Sequence, residues 1–279
     1  MTVSTATRVT RTAARRRPST RKTPRWMLVA LEIVVPILLV ALWWVLSADS
    51  TNTFFPPLQT ILQTLVQDLS NPVFLADVGA SLLNLLISFV LASVLGVVLG
   101  TLLGLVRWVS WLTEPTMHFF RAIPPVALVP IFVAILGFGN ETRILSITLA
   151  ALFPTLIATL DGVRAMDPTM GMVTRVYGLT RGQRIFRVTL PAASPRIFSG
   201  MQVSLQTAFI VMIASEMLGS STGLGAVTLQ AQQSFMIAQM WAGIIVLGVI
   251  GYVASALFAL LRGRVLRWYI RSQQIGREA

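Results

Sequence analysis

The amino-acid sequence predicts an all-α, polytopic membrane protein with six transmembrane helices. Three observations carry that expectation. Of the 279 residues, 55% are apolar and only 11% are charged, whereas a soluble domain carries roughly a quarter charged residues. Apolar runs of about 20 residues recur, each long enough to cross a hydrocarbon core about 30 Å thick. The cations gather beside alternate ends of those runs, as orientation in a bilayer requires. A β-barrel would instead show alternating segments of about ten residues.

Residues 1–25 hold Arg8, Arg11, Arg15, Arg16, Arg17, Arg21, Lys22 and Arg25 among Thr, Ser, Ala and Pro. This composition cannot bury a core, so a disordered basic tail beside anionic lipid is expected. A cleaved signal peptide fits poorly. The apolar run from Trp26 to Ala48 is too long, and Leu46-Ser47-Ala48 is a poor cleavage site.

The first span is expected at 26–48, with Glu32 near its cytoplasmic end, in reach of Arg25. Phe55-Pro56-Pro57 then opens a short amphipathic helix. Leu58, Ile61, Leu62, Leu65, Val66 and Leu69 recur at helical spacing, which suits the outer interface. The second span, at 78–105, repeats Ala92, Gly96, Gly100 and Gly104 on one face. Small residues there admit a close neighbour, from the same chain or another subunit.

The third span, at 114–136, contains Pro124, Pro125 and Pro130. They interrupt the hydrogen-bond ladder of a helix. Freed backbone groups within a membrane are tolerated against protein or a water-filled cavity. The three prolines are therefore pathway candidates, with a kinked packing helix as the alternative. The fourth span is expected at 142–161. The fifth, at 192–217, ends near Glu216, and ionisable residues in spans are functional candidates. Equally, Glu216 can hydrogen-bond the loop that follows, Gly219-Ser-Ser-Thr-Gly-Leu-Gly225. The sixth span, at 237–261, precedes a short cytoplasmic tail at 271–279.

The charge of +12 is almost wholly arginine. In a soluble protein it would suggest nucleic acid; beside membrane spans it sets orientation, and no nucleic-acid partner is expected. With the N-terminus inside, the inner segments hold the tail, Arg107, Arg164, Arg175, Arg181, Arg184, Arg187, Arg262, Arg264, Arg267, Arg271 and Arg277. The outer segments hold Arg143 alone. Both termini are therefore expected in the cytoplasm.

Several chemistries lack their residues. There is no cysteine, and the single histidine, His118, lies between Met117 and Phe119, as a packed or interfacial residue would. No metal site is expected, since such sites need several converging ligands. No G-x-x-x-x-G-K-[ST] loop occurs, so no phosphate-loop ATP site is expected in this chain. Carboxylates that could relay protons through the spans are nearly absent, so if the chain is part of a pump, its energy must come from another subunit.

One long polar break remains, from Asp161 to Thr189, followed by Leu190-Pro191. Gly178 allows a sharp turn between short helices expected at Thr169 to Val176 and Arg181 to Val188. Gly178-Leu-Thr-Arg-Gly-Gln-Arg-Ile-Phe-Arg-Val-Thr-Leu190-Pro191 resembles the cytoplasmic loop of ABC importer permeases, in which E-A-A, three residues, a glycine and a later Leu-Pro recur. Arg121-Ala-Ile-Pro-Pro-Val-Ala-Leu-Val-Pro130 with Gly137-Phe-Gly139 is similar to the third-span signature of the nitrate/sulfonate/taurine subgroup. So are Ser215-Glu216-Met217-Leu218-Gly219 with Gly223-Leu-Gly225, and the Phe55-Pro56-Pro57 entry.

The resemblance covers about residues 26–270 and implies the type I ABC importer permease fold, with a coupling loop at about 162–190. It implies a multi-pass location in the cytoplasmic membrane, and no catalytic site or cofactor in this chain. ATP and Mg would be held by a partner ATPase subunit. An extracytoplasmic solute-binding protein, a second permease copy or paralogue, and membrane lipid complete the implied partners. The ATPase-coupling residues would be Thr174, Arg175, Tyr177, Gly178, Leu179, Thr180, Gly182, Leu190 and Pro191. One departure stands out: the E-A-A triplet here reads Met172-Val173-Thr174. A heterodimer with a stricter paralogue, or a homodimer with a variant ATPase cleft, would accommodate it. The competing reading is a channel-type or membrane-enzyme subunit without ATPase coupling. It fits less well, because a channel needs no glycine-hinged loop and an enzyme needs convergent polar groups in the spans.

Overall fold

A computed structural model describes residues 25–106 and 123–269, with 108, 116, 117 and 119 between them. The basic tail at 1–24, Arg107, His118, Arg121 and the tail at 271–279 fall outside the described residues. Among the described residues, every regular element is helical.

Helix α1 (Arg25–Ser47) ends where the buried Ser47 accepts the Leu58 N–H at 3.1 Å. That bond fastens it to the start of α2 (Leu58–Leu69). The expected amphipathic helix is therefore present. Leu58 and Ile61 are buried, while Leu62, Val66 and Leu69 are exposed. Trp43 lies 5.6 Å from Trp241 between ring centroids, and Phe55 completes an aromatic trio of the kind that settles at headgroup level.

Helix α3 (Pro72–Leu105) begins earlier than the expected 78. Asn71 caps it by accepting the Val73 N–H at 2.9 Å, and Pro72 suits a first helical position. This start signal outweighs the polarity of Asp77. The small-residue stripe of α3 lies against α5 (Asn140–Arg164) of the same chain. A Cβ on Gly96 would stand 2.9 Å from Thr155 Cβ, one on Gly100 2.5 Å from the Leu156 carbonyl, and one on Gly104 2.8 Å from Val163 Cβ.

The opposite face of α5 meets α8 (Leu190–Gly219) as closely. Gly200 faces the Pro154 carbonyl and Ala158, and Gly162 faces Ala193. Ser204 donates to the Ala151 carbonyl at 2.6 Å. Thus α5 is clamped between two helices by residues too small to hold them apart. Ala92, Ile147, Ala151, Ala208, Val211 and Met212 form the core at this seam.

Between α3 and α5 lie a 3-10 turn (Pro125–Leu128) and α4 (Val129–Leu136). After α5 come α6 (Pro168–Val176) and α7 (Arg181–Arg184), and a π-helical stretch (Ile185–Thr189) leads into α8. The chain closes with α9 (Leu224–Gln233) and α10 (Ile237–Val265). Four helices are long and apolar enough to cross a membrane: α3, α5, the run Arg181–Gly219, and α10. Ile33–Ser47 and Pro125–Leu136 are shorter apolar stretches.

Two local expectations are corrected. Arg181–Val188 is not a separate helix; α7 runs through the π stretch into α8 without a break. Pro191 has no N–H for the Arg187 carbonyl, and just before it the ladder widens so that the Leu190 N–H bonds to Ile185. The loop after Gly219 is shorter than expected, since α9 already begins at Leu224. The helix α9 went unread because its glutamines and small residues give a polar, short pattern, although Leu224, Ala226 and Ala231 are buried.

Helices α3 and α5 run parallel and α8 runs against them. One end of the bundle therefore gathers residues near 77–81, 140–143 and 216–225, and the other gathers 161–197 and 262–267. Among the described residues after Arg25, Arg143 alone of the arginines lies at the first end.

Candidate functional site

At the arginine-rich end, α6 and α7 form a lobe joined by an elbow. Asp167 caps α6 by accepting the Thr169 N–H at 2.8 Å, and this bond holds its carboxyl below the usual carboxylate range. At the other end of α6, the Leu179 N–H reaches the Thr174 carbonyl at 3.1 Å and the Gly178 N–H reaches Arg175 at 3.0 Å. This is a Schellman closure, which needs a left-handed residue; Gly178 supplies it with φ of +66°. Two residues later Thr180 starts α7. Its Oγ1 accepts the Gln183 N–H at 3.3 Å, and Gln183 Oε1 accepts the Thr180 N–H at 3.0 Å. A helix stop and a reciprocal helix start thus fill Gly178-Leu179-Thr180, and the angle between α6 and α7 is held from both sides.

The faces of this lobe differ. Thr174 is 4% exposed and donates to the Gly171 carbonyl at 2.8 Å, so within the variant triplet it turns inward while Met172 and Val173 stay exposed. Arg184 lies over Gly171, its Nη2 3.3 Å from where a Cβ would stand. Val176 is 85% exposed and Tyr177 79%, with Phe186 and Met170 also uncovered. Arg175, Gly178, Thr180 and Gly182 are exposed beside them, and Leu179 is half-buried. Leu190 packs at the foot of the lobe against Val163, Ala193 and Ile197, while Pro191 is exposed in the first turn of α8. Large apolar side chains left uncovered in this way suit contact with a protein or a membrane surface.

The three prolines do not kink a continuous helix within the described residues. Pro124 precedes the 3-10 turn, Pro125 opens it, and Pro130 falls in the first turn of α4, where a missing N–H costs nothing. Val126, Val129 and Val133 pack on the core, and Pro124 and Pro130 are exposed. Gly96 and Gly100 lie in the helix seam, and Gly104 meets Val163 where that seam reaches the arginine-rich end.

At the opposite end, Glu216 is fully buried. Ser81 of α3 donates to its two oxygens at 2.8 and 2.9 Å, and the Gly225 N–H donates at 2.9 Å. The Leu224 N–H donates to Ser81 Oγ at 2.9 Å, and the Gly223 N–H to Asp77 at 2.7 Å. Three consecutive N–H groups at the head of α9 are thus taken by Asp77, Ser81 and Glu216. Gly223 has φ of +105°, and a Cβ there would stand 2.5 Å from the Glu216 carboxyl carbon. The sequence pointed to Glu216 and to the 223–225 amides but not to Asp77 and Ser81. Their i, i+4 spacing at the head of an apolar helix was the available signal.

Comparisons with known proteins agree with this architecture. The family of binding-protein-dependent transport system inner membrane components matches residues 92–267. The putative aliphatic sulfonates transport permease protein SsuC of Bacillus subtilis is 30% identical over 258 residues, 92% of each chain. The taurine transport system permease protein TauC of Escherichia coli is 27% identical, covering 88% of this chain and 93% of its own. The nitrate import permease protein NrtB of Synechocystis is 28% identical, covering 90% and 95%. In fold, the chain is similar to a subunit of the inward-facing MetNI methionine ABC transporter, with a TM-score of 0.57 at 21% identity over 70% of this chain and 95% of that one. The chain belongs to the family of inner membrane components of binding-protein-dependent transport systems.

Proposed function

We propose that this chain is the permease subunit of an ATP-driven importer for a small organic or inorganic anion, of the sulfonate, nitrate or carboxylate class. The observation that carries the coupling role is the elbow at Gly178. It projects Val176 and Tyr177 from a lobe whose internal hydrogen bonds leave it little freedom to bend. ATP and Mg belong to a separate ATPase subunit docked on this lobe. The names of the sulfonate, taurine and nitrate relatives support the substrate class. Arginine placement supports an orientation with both termini in the cytoplasm and the Glu216 end facing the binding protein.

The transport unit contains a second permease, copy or paralogue, because one such bundle offers half of a symmetric pathway. Its outer surfaces meet lipid. Pro124, Pro125 and Pro130 line or shape the passage between the two halves. ATP-driven closure of the ATPase moves the α6–α7 lobe and shifts the bundle between inward- and outward-open populations.

The test is reconstitution with a partner ATPase and binding protein, followed by cysteine cross-linking. Tyr177→Cys and Gly182→Cys should capture the ATPase, whereas Thr174→Cys, on the inward face, should react far less. ATP-dependent uptake of taurine, methanesulfonate or nitrate into proteoliposomes is expected. Tyr177→Cys reacting only with reagents added outside the cell would reverse the orientation and sink the coupling role.

A further inference from the structure

The end of the bundle that holds Glu216 also carries a cation whose hydrogen bonds among the described residues go to neither Glu216 nor Asp77. Arg143 stands in the first turn of α5, beside an open cavity of about 520 Å³ walled by Phe138, Gly219, Ser220, Ser221 and Thr222. Its Nη1 donates to Ser220 Oγ at 2.8 Å and to the Thr222 carbonyl at 3.2 Å. Ser220 in turn donates to the Thr222 carbonyl at 2.6 Å and accepts the Thr222 N–H at 3.1 Å. These bonds fix the guanidinium against the 220–222 segment. Its Nε–H is buried and meets no acceptor among the described residues. A buried donor without an acceptor carries a cost, and a ligand oxygen in the cavity relieves it once the guanidinium turns toward the opening.

The carboxylates nearby do not occupy the arginine. Asp77 and Glu216 take their donors from Gly223, Ser81 and Gly225, and Glu141 is exposed. Phe138, 77% exposed, adds an apolar wall to the same cavity.

The geometry points to an oxyanion subsite in this cavity, where Arg143 receives the charged headgroup of the arriving anion before it enters the bundle. A guanidinium edge presents N–H groups at the spacing of two oxygens on one headgroup, which suits sulfonate, nitrate or carboxylate. Phe138 lies where the short carbon chain of an organic anion would rest. Ser220 is a positioning residue, because its contacts orient Arg143. The inference rests on the reading of the chain as an anion-importer permease and names where that anion is first held.

The chain has no cysteine, so Ser221→Cys places one thiol on the cavity wall as a reporter. The probes are a sulfonate-bearing and a trimethylammonium-bearing methanethiosulfonate, applied to the full permease–ATPase complex. With Arg143 present, the anionic reagent should be favoured about fivefold relative to the Arg143→Gln background, as expected for one charge within a few ångströms of a wet cavity. Excess sodium methanesulfonate should slow labelling several-fold in the Arg143 protein and not in Arg143→Gln. Arg143→Lys should keep the charge preference and lose most of the protection, since an ammonium lacks the two-donor edge.

Equal protection in the Arg143 and Arg143→Gln proteins, or equal protection by sodium chloride, overturns the subsite; the arginine then only ties α5 to 220–222. If Arg143→Gln does not fold, the comparison of arginine with lysine decides alone, and equal protection in those two overturns the subsite. Arginine-dependent protection in a complex that performs no ATP-driven anion uptake would leave the subsite standing and remove the importer reading instead.

Discussion

Ser81 donates to both carboxylate oxygens of Glu216, at 2.8 and 2.9 Å, across 135 residues of sequence. The same hydroxyl oxygen accepts the Leu224 N–H. One small side chain therefore joins the head of α3, the end of α8 and the start of α9.

The bonds from Ser81 and Gly225 predict a structural role for Glu216 rather than proton carriage. Glu216→Gln keeps an acceptor for Gly225. It should retain ATP-driven uptake in part, with little change in pH dependence. Glu216→Ala strands a buried N–H and a hydroxyl, at about 1–3 kcal/mol for each stranded group, and should lower the thermal midpoint in detergent. Uptake driven by a proton gradient without ATP, and lost in Glu216→Gln, would refute this role.

The elbow predicts uncoupling without unfolding. Gly178→Ala must hold φ near +66°, at about 1–2 kcal/mol, and Thr180→Ala loses a reciprocal cap worth about 1 kcal/mol. Both costs fall on the exposed lobe. Thermal stability of the bundle should stay near wild type, while substrate moved per ATP falls. Because the two positions share one turn, the double variant should not sum the single effects.

The α3–α5 seam predicts a position-dependent glycine effect. Gly100→Ala places a Cβ 2.5 Å from the Leu156 carbonyl and 2.7 Å from Thr159 Cβ, an overpacking that costs about 1–3 kcal/mol. Gly248→Ala in α10 meets nothing within 4 Å and should be neutral or slightly stabilising through helix propensity. Unfolding midpoints of the two variants check the contrast; a neutral Gly100→Ala would mean that the seam is looser than described.

Asp68 on α2, bonded by Gln239 of α10, predicts a pH effect on stability. Burial pushes its carboxyl above the usual carboxylate range, and a hydrogen bond from Gln239 pulls partly the other way. The folded state therefore binds this proton more tightly than the unfolded one. The associated stabilisation is complete below the unfolded value and is lost as pH rises through the raised folded value. Asp68→Asn should flatten that acid-side gain, read from tryptophan fluorescence during thermal unfolding at a series of pH values. An unchanged slope would remove Asp68 as its source.

The all-α, membrane-spanning class was legible because long hydrophobic runs are a coarse signal that survives local irregularity; four helices among the described residues are long and apolar enough to cross, and the expected third span at 114–136 lies partly outside those residues. The elbow was legible for a local reason: Gly178 with Thr180 and Gln183 spells a helix stop and start within a few residues. The elements read wrongly lie where a local rule was outvoted. Pro191 reads as a helix start, yet a widened turn carries α7 through it. The segment 224–233 is polar enough to read as loop, yet its amides find Asp77, Ser81 and Glu216, and its small apolar face is buried. Asp77 and Ser81 escaped notice because their meaning depends on a partner more than 130 residues away, which a single sequence does not reveal.

The π stretch at Ile185–Thr189 has a mechanical consequence. It lets the chain pass from α7 into α8 as one helical run, Arg181–Gly219, of 39 residues, roughly 58 Å long at helical rise. The lobe proposed to meet the ATPase and the carboxylate that fastens α9 are then at opposite ends of one helical run. A tilt imposed at Arg181 is carried toward Glu216 along this one run, and the π stretch, Pro191 and Pro195 place its bending points near the Arg181 end.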